Sequence, residues 1–177
     1  KALRSMDGEY RSIRLAASEI NMAYRQAENL RWQQMDFVVG YEIKLSNNHT
    51  CNGKPFQDIC DILAGKYPKD FQWTGWHPLC RCYKIPILKT EEEFWEWDGR
   101  SEATTASVNE VKDVPDAFKK WVLDNQERIS TAKKRNTLPY FLRDNKSVYQ
   151  KITVESSISE IVKRASSVGD EVQSIAE

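Results

Sequence analysis

All four cysteines of this 177-residue chain, Cys51, Cys60, Cys80 and Cys82, and both of its histidines, His49 and His77, fall between residues 49 and 82. No other feature constrains the fold as much. A structural zinc centre needs four nitrogen or sulfur ligands in a tetrahedron, usually delivered as two close pairs. His77-Pro78-Leu79-Cys80-Arg81-Cys82 offers one close group, because a turn at Pro78 can aim His77 and Cys80 at one point. The second would come from Cys60 with Cys51 or His49. Eight residues separate Cys51 from Cys60, more than the two to four of common zinc knuckles. The candidate zinc ligands are therefore Cys51, Cys60, His77, Cys80 and Cys82. Two other readings stay open: reduced cysteines packed as small apolar residues, or a disulfide between two of the four.

Periodicity places this cluster in an α+β chain. Ile13, Ala17, Ile20, Tyr24 and Ala27 lie on one face of a helix predicted over residues 8–35. From Phe37 to Leu45, the odd-numbered Phe37, Val39, Tyr41, Ile43 and Leu45 alternate with residues that include Glu42 and Lys44, the period of a half-buried strand. Phe56–Ala64 reads as a short helix stopped by Gly65. An aromatic loop follows over 66–78. Residues 81–88 read as a second strand with Tyr83, Ile85 and Ile87 on one face; Pro86 ends it or puts it at an edge. Thr90 and Glu93 have the form of a capping box for a helix through Trp97. Pro115 suits the start of a basic amphipathic helix to about Lys134. Ser157 with Glu160 repeats the capping-box form, before a last helix that Gly169 can end. The expected architecture is a long N-terminal helix, a small antiparallel sheet with a Cys/His loop, and a helical C-terminal region.

Formal charge is zero, from 26 basic and 26 acidic residues, but the zero is a cancellation. Residues 90–116 carry two basic and nine acidic side chains, a net −7; residues 117–153 carry nine and three, a net +6. The zero total speaks only against a dedicated nucleic-acid binder; its distribution leaves weaker contact open and sharpens a boundary near residue 98. The expected organisation is 1–97, an acidic linker or surface loop 98–114, and a basic helical region 115–177. No apolar run approaches the roughly 20 residues of a membrane-spanning helix. The chain begins at Lys1 rather than at a methionine, as expected of a piece cut from a longer protein.

Cys60-Asp61-Ile62-Leu63-Ala64-Gly65-Lys66, then His77-Pro78-Leu79-Cys80-Arg81-Cys82, then Ile85-Pro86 resembles the signature of the phage Mu protein F-like family of minor head, or head morphogenesis, proteins. The resemblance covers roughly residues 8–89, including the helix and strand upstream. It departs at one point. Many members carry Cys-x-x-Cys before Leu-x-Gly, and aligning Cys60 with the second cysteine puts Gln57 at the first, so Cys51 or His49 would complete the ligands. The resemblance implies a non-enzymatic virion component. Its partners would be the portal or other head proteins, and its location the virion or the bacterial host cytoplasm. F-like domains can also be joined to toxin domains, so a nuclease-like effector is the alternative, beside a zinc-dependent nucleic-acid-binding module.

Other candidates are weighed against blander roles. His77 and Cys80 could pair as base and thiol nucleophile, but Pro78 and Cys82 favour a structural role. Glu91, Glu92, Glu93 and Asp98 read as a solvated helix start rather than catalytic carboxylates. Lys119, Lys120, Lys133, Lys134 and Arg135, interleaved with Trp121, Tyr140, Phe141 and Tyr149, are candidates for weak DNA contact. The alternatives are a helix that buries Phe118, Trp121, Val122 and Ile129, or docking of these cations on the acidic 90–116 stretch.

Overall fold

The structure, a computed structural model, describes residues 2–47, 50–51, 54–96 and 106–175; at 2–6, 51, 96, 160 and 163–175 only the backbone is described. His49, Trp97, Asp98 and the Cys51 side chain lie outside the described parts. The elements are α1 (Ala2–Gln33), β1 (Val38–Lys44), β2 (Thr50–Cys51), β3 (Lys54–Pro55), α2 (Ile59–Leu63), β4 (Gly65–Tyr67), β5 (Tyr83–Leu88), α3 (Glu91–Glu96), α4 (Asp116–Asp124), α5 (Gln126–Lys134), α6 (Tyr140–Arg143) and α7 (Lys146–Ile175). An antiparallel sheet runs β4-β1-β5, and β2 and β3 form a separate two-stranded ribbon. This is the α+β architecture read from the sequence, with Pro86 on an edge strand.

The core is largely aromatic. The Tyr67 ring at the end of β4 lies 4.6 Å from Phe71, 5.7 Å from Trp76 and 5.9 Å from Phe118, centre to centre. Phe118 meets Tyr67 and Phe71 edge-on, the arrangement ring quadrupoles favour. Phe118 and Val122 come from α4, Phe141 and Leu142 from α6, and all are buried with Tyr41, Ile43 and Leu63. One core thus joins the motif-bearing half to the helical half. The acidic segment between them is stitched down as well. Ser107 Oγ donates to Glu93 at 2.6 Å, Val111 N–H to the Val39 carbonyl at 3.2 Å, and Asn109 Nδ2 to the Leu88 carbonyl at 3.0 Å. A cut near residue 98 would divide side chains that share this core.

Local signals survive best. Thr90 Oγ1 accepts from Glu93 N–H and Glu93 accepts from Thr90 N–H, the capping box read from the sequence. Tertiary packing overrides several other expectations. The apolar face of α1 points outward, and the buried face is Ser18, Arg25 and Asn29. A register shift between Val38 and Gly40 turns Val38, not Val39, into the core. On β5 the buried residue is Lys84, while Tyr83 and Ile85 are exposed. Gly65 opens β4 at φ +151°, instead of capping α2. The basic helix breaks at Asn125, whose Nδ2 donates back to the Trp121 carbonyl at 2.9 Å. Ser157 caps nothing: it lies inside α7 and donates to the Thr153 carbonyl, and α7 runs on past Gly169.

Candidate metal centre

Two short segments deliver the ligands. Asp58 is the N-cap of α2, accepting from Cys60 N–H at 2.7 Å, while Asp61 accepts from Asp58 N–H at 2.7 Å. This reciprocal box fixes the first turn and with it the Cys60 side chain. The second segment is a tight turn. Cys80 N–H donates to the His77 carbonyl at 3.1 Å, and Leu79 takes the left-handed conformation at φ +58°. Leu79 N–H is held by Ser18 Oγ of α1 at 3.1 Å. Turn and cap bring Cys60, His77 and Cys80 together, with all three ligand atoms within 4.8 Å of one another. This group can hold a metal ion.

The donor chemistry fits. Cys60 Sγ and Cys80 Sγ are 3.8 Å apart, and tetrahedral zinc with Zn–S bonds of about 2.3 Å sets its sulfurs roughly 3.8 Å apart. Cys60 Sγ and His77 Nε2 are 3.0 Å apart, where the same geometry asks for about 3.6 Å, so the imidazole would move outward by roughly half an ångström. His77 Nδ1 lies 2.7 Å from the Pro78 carbonyl, which can only accept, so Nδ1 carries a proton and Nε2 is the ring nitrogen turned to the cluster. Nε2 faces the Asp58 carboxylate at 3.2 Å as well as the Cys60 sulfur. A carboxylate and a sulfur facing Nε2 are satisfied by a proton or by a bound cation.

The buried thiols act on one another. Hydrogen bonds from Cys60 and Cys82 hold Cys80 far below the usual thiol range, and the bond to Cys80 is the main cause that pushes Cys60 far above it. For Cys82, the bond with Cys60 pulls downward, but the bond with Cys80 together with burial outweighs it and pushes the thiol up to about 12. Cys60, Cys80 and Cys82 are free thiols, so no disulfide links them.

Arg25 of α1 binds the loop from behind. Its Nη1 donates to the Thr74 carbonyl at 3.0 Å, and Nη2 donates to the Cys80 and Cys82 carbonyls, both at 2.7 Å. The guanidinium lies 4.6 Å from the centre of the Trp73 ring. A Cβ on Gly75 would sit 2.7 Å from Arg25 Nη1, so glycine is required there, at φ +131°. Beside it, buried Lys84 donates to Asn29 Oδ1 and the Arg25 carbonyl and lies over the Trp32 ring. Burial lowers Lys84 to about 8, against the upward pull of Glu28.

No family model matches the sequence, and neither a curated protein nor a solved structure matches it.

The structure brings together three of the five expected zinc ligands, Cys60, His77 and Cys80; Cys82, though buried, is outside that group, and the Cys51 side chain lies outside the described parts. Gln57 is exposed, and Asp58, one residue on, approaches His77 instead. Arg81 Nη2 donates to the Thr50 carbonyl at 3.2 Å, tying the motif to β2. Sequence reading missed Arg25 and Asp58. Arg25 had one signal: Ser18, Arg25 and Asn29 fall seven and four residues apart, a helical spacing in polar residues. The basic residues divide. Lys119 pairs with Asp113 at 2.7 Å and Asp116 at 3.5 Å, and Lys120 with Asp124 at 2.6 Å. Lys119 thus docks on the acidic stretch. Lys133, Lys134 and Arg135 are exposed at the end of α5. Phe118, Val122, Ile129, Phe141 and Tyr149 are buried, so this region's aromatics mostly serve the core. Among the described residues, no helix is long and apolar enough to cross a membrane.

Proposed function

We propose that this chain is a structural, non-enzymatic minor head protein of a tailed phage or prophage, acting near the portal in head assembly or DNA delivery. Its F-like motif would serve as a zinc-held knot. The carrying observation is the convergence of Cys60, His77 and Cys80 inside the stretch that bears the resemblance. Burial supports a structural role over a catalytic one: Cys60, Cys80 and Cys82 are 1–3% exposed, leaving a substrate little access to a sulfur. When bound, zinc would keep the thiols deprotonated and cross-link α2 to the His77–Cys82 loop. Asp58 would orient His77, and Arg25 would satisfy the loop carbonyls whatever the thiol charge.

Exposed Lys133, Lys134 and Arg135 are the residues we assign to weak DNA contact inside a filled head. The placement is tested by mass spectrometry of purified particles. A few copies of the chain per virion support it. Particles that assemble and contain none overturn it, as would nuclease activity that is lost on substitution of the exposed basic residues.

A further inference from the structure

Helix α1 packs on the chain through one narrow face and leaves another bare. Ser18, Arg25 and Asn29 are buried on the inner side, whereas Tyr10, Ile13, Ile20 and Tyr24 are 58%, 60%, 69% and 69% exposed. Residues 7–16 are exposed all round the helix. An isolated helix of fewer than about 12–15 residues is marginal in water, so such a stretch gains stability from a partner. The bare side has a defined spacing. Tyr10, Ile13, Ala17, Ile20, Tyr24 and Ala27 are separated alternately by three and four residues, the a and d positions of a heptad repeat. In sequence the same spacing begins at Leu3 and Met6. At about 100° per residue the seam is centred roughly 130° around the helix from the buried face.

We propose that α1 is a dimerisation helix that pairs in parallel with α1 of a second copy. Charge on the seam's flanks selects this occupant and this direction. In a parallel pair, a residue at g meets the e residue of the following heptad on the other helix. Glu9 of one copy then meets Arg14 of the other, twice by symmetry. The other flanking positions, Ala16 with Asn21 and Ala23 with Glu28, set no like charges together. An antiparallel pair that seats Tyr10 on Ala27 would bring Asp7 against Glu28, a repulsion at each end. The outer stripe of α7, Val154, Ile158 and Ile161, is flanked by Ser157 and Val162, which supply no such ion pair.

Sedimentation equilibrium of the full chain tests this. The expected mass is twice the 20.6 kDa of one chain. Ile13→Lys with Ile20→Lys should give a monomer with unchanged tryptophan fluorescence, since both side chains are exposed in the single chain. Ile158→Lys with Ile161→Lys should leave the dimer intact. Glu9→Arg alone and Arg14→Glu alone should each weaken the dimer roughly tenfold, by replacing two attractions with two repulsions, and the two together should restore it. A monomer at high micromolar concentration overturns the proposal. So does a dimer that survives the α1 double variant, or one dissociated by the α7 variant. Failure of the two charge changes to compensate overturns the parallel pairing.

Discussion

Replacing Arg25 by Met removes three hydrogen bonds from a buried guanidinium to the carbonyls of Thr74, Cys80 and Cys82, while keeping most of the side-chain volume. Each bond from a charged donor contributes about 1.5–3 kcal/mol, and each carbonyl left buried without a donor costs about 1–3 kcal/mol. The burial cost of the guanidinium offsets part of this sum, and the three bonds share one donor group. The net loss expected for Arg25→Met is therefore about 3–5 kcal/mol, a large share of the roughly 5–15 kcal/mol of an ordinary domain. Arg25→Lys should recover little, because an ammonium cannot reproduce the planar fork that reaches three acceptors. Urea unfolding followed by tryptophan fluorescence measures this, with Trp73 under the guanidinium as a local reporter. A loss below about 1 kcal/mol, the size of an ordinary substitution, would refute the view that Arg25 fastens the cysteine loop to α1.

Three further outcomes are expected. Gly75→Ala should destabilise by about 2 kcal/mol or more in thermal melts, since its Cβ would press on Arg25 at a φ that side chains disfavour. Lys84 has a folded-state pKa lowered to about 8 from 10.5, so the unfolded chain holds its proton to higher pH. Below pH 8 both states are protonated and its contribution is constant; between 8 and 10.5 stability should rise with pH by up to about 3 kcal/mol relative to Lys84→Met, measured by urea unfolding across that range. Replacing Lys133, Lys134 and Arg135 together by Glu should abolish a weak, salt-sensitive DNA association in fluorescence anisotropy while leaving stability within about 0.5 kcal/mol.

What could be read in the sequence was mostly local. The Thr90–Glu93 box and the strand around Tyr41 and Ile43 depend on neighbours a few residues away, and both formed. The cysteine cluster was legible because ligand chemistry is rare and its spacing tight. Which face of α1 is buried was not legible. The interior it meets is a ring of backbone carbonyls around the Cys80–Cys82 loop, and carbonyls call for Arg25 and Asn29 rather than Ile20 and Tyr24. Lys84 is the same case on β5: its inward turn is set by Asn29, Glu28 and the Trp32 ring, all distant in sequence. Ser157 had the chemistry of a cap, but its backbone was already inside a helix begun at Lys146.

The zinc-held knot we propose rests on Cys60, His77 and Cys80, the three ligands brought together. Elemental analysis of chain purified without chelators tests it most directly, beside Cys80→Ser prepared in the same way. The expected result is one zinc per chain, lost in the variant, with cobalt substitution giving sulfur-to-metal charge-transfer bands. A folded, zinc-free chain whose three thiols all react on mild unfolding would contradict it.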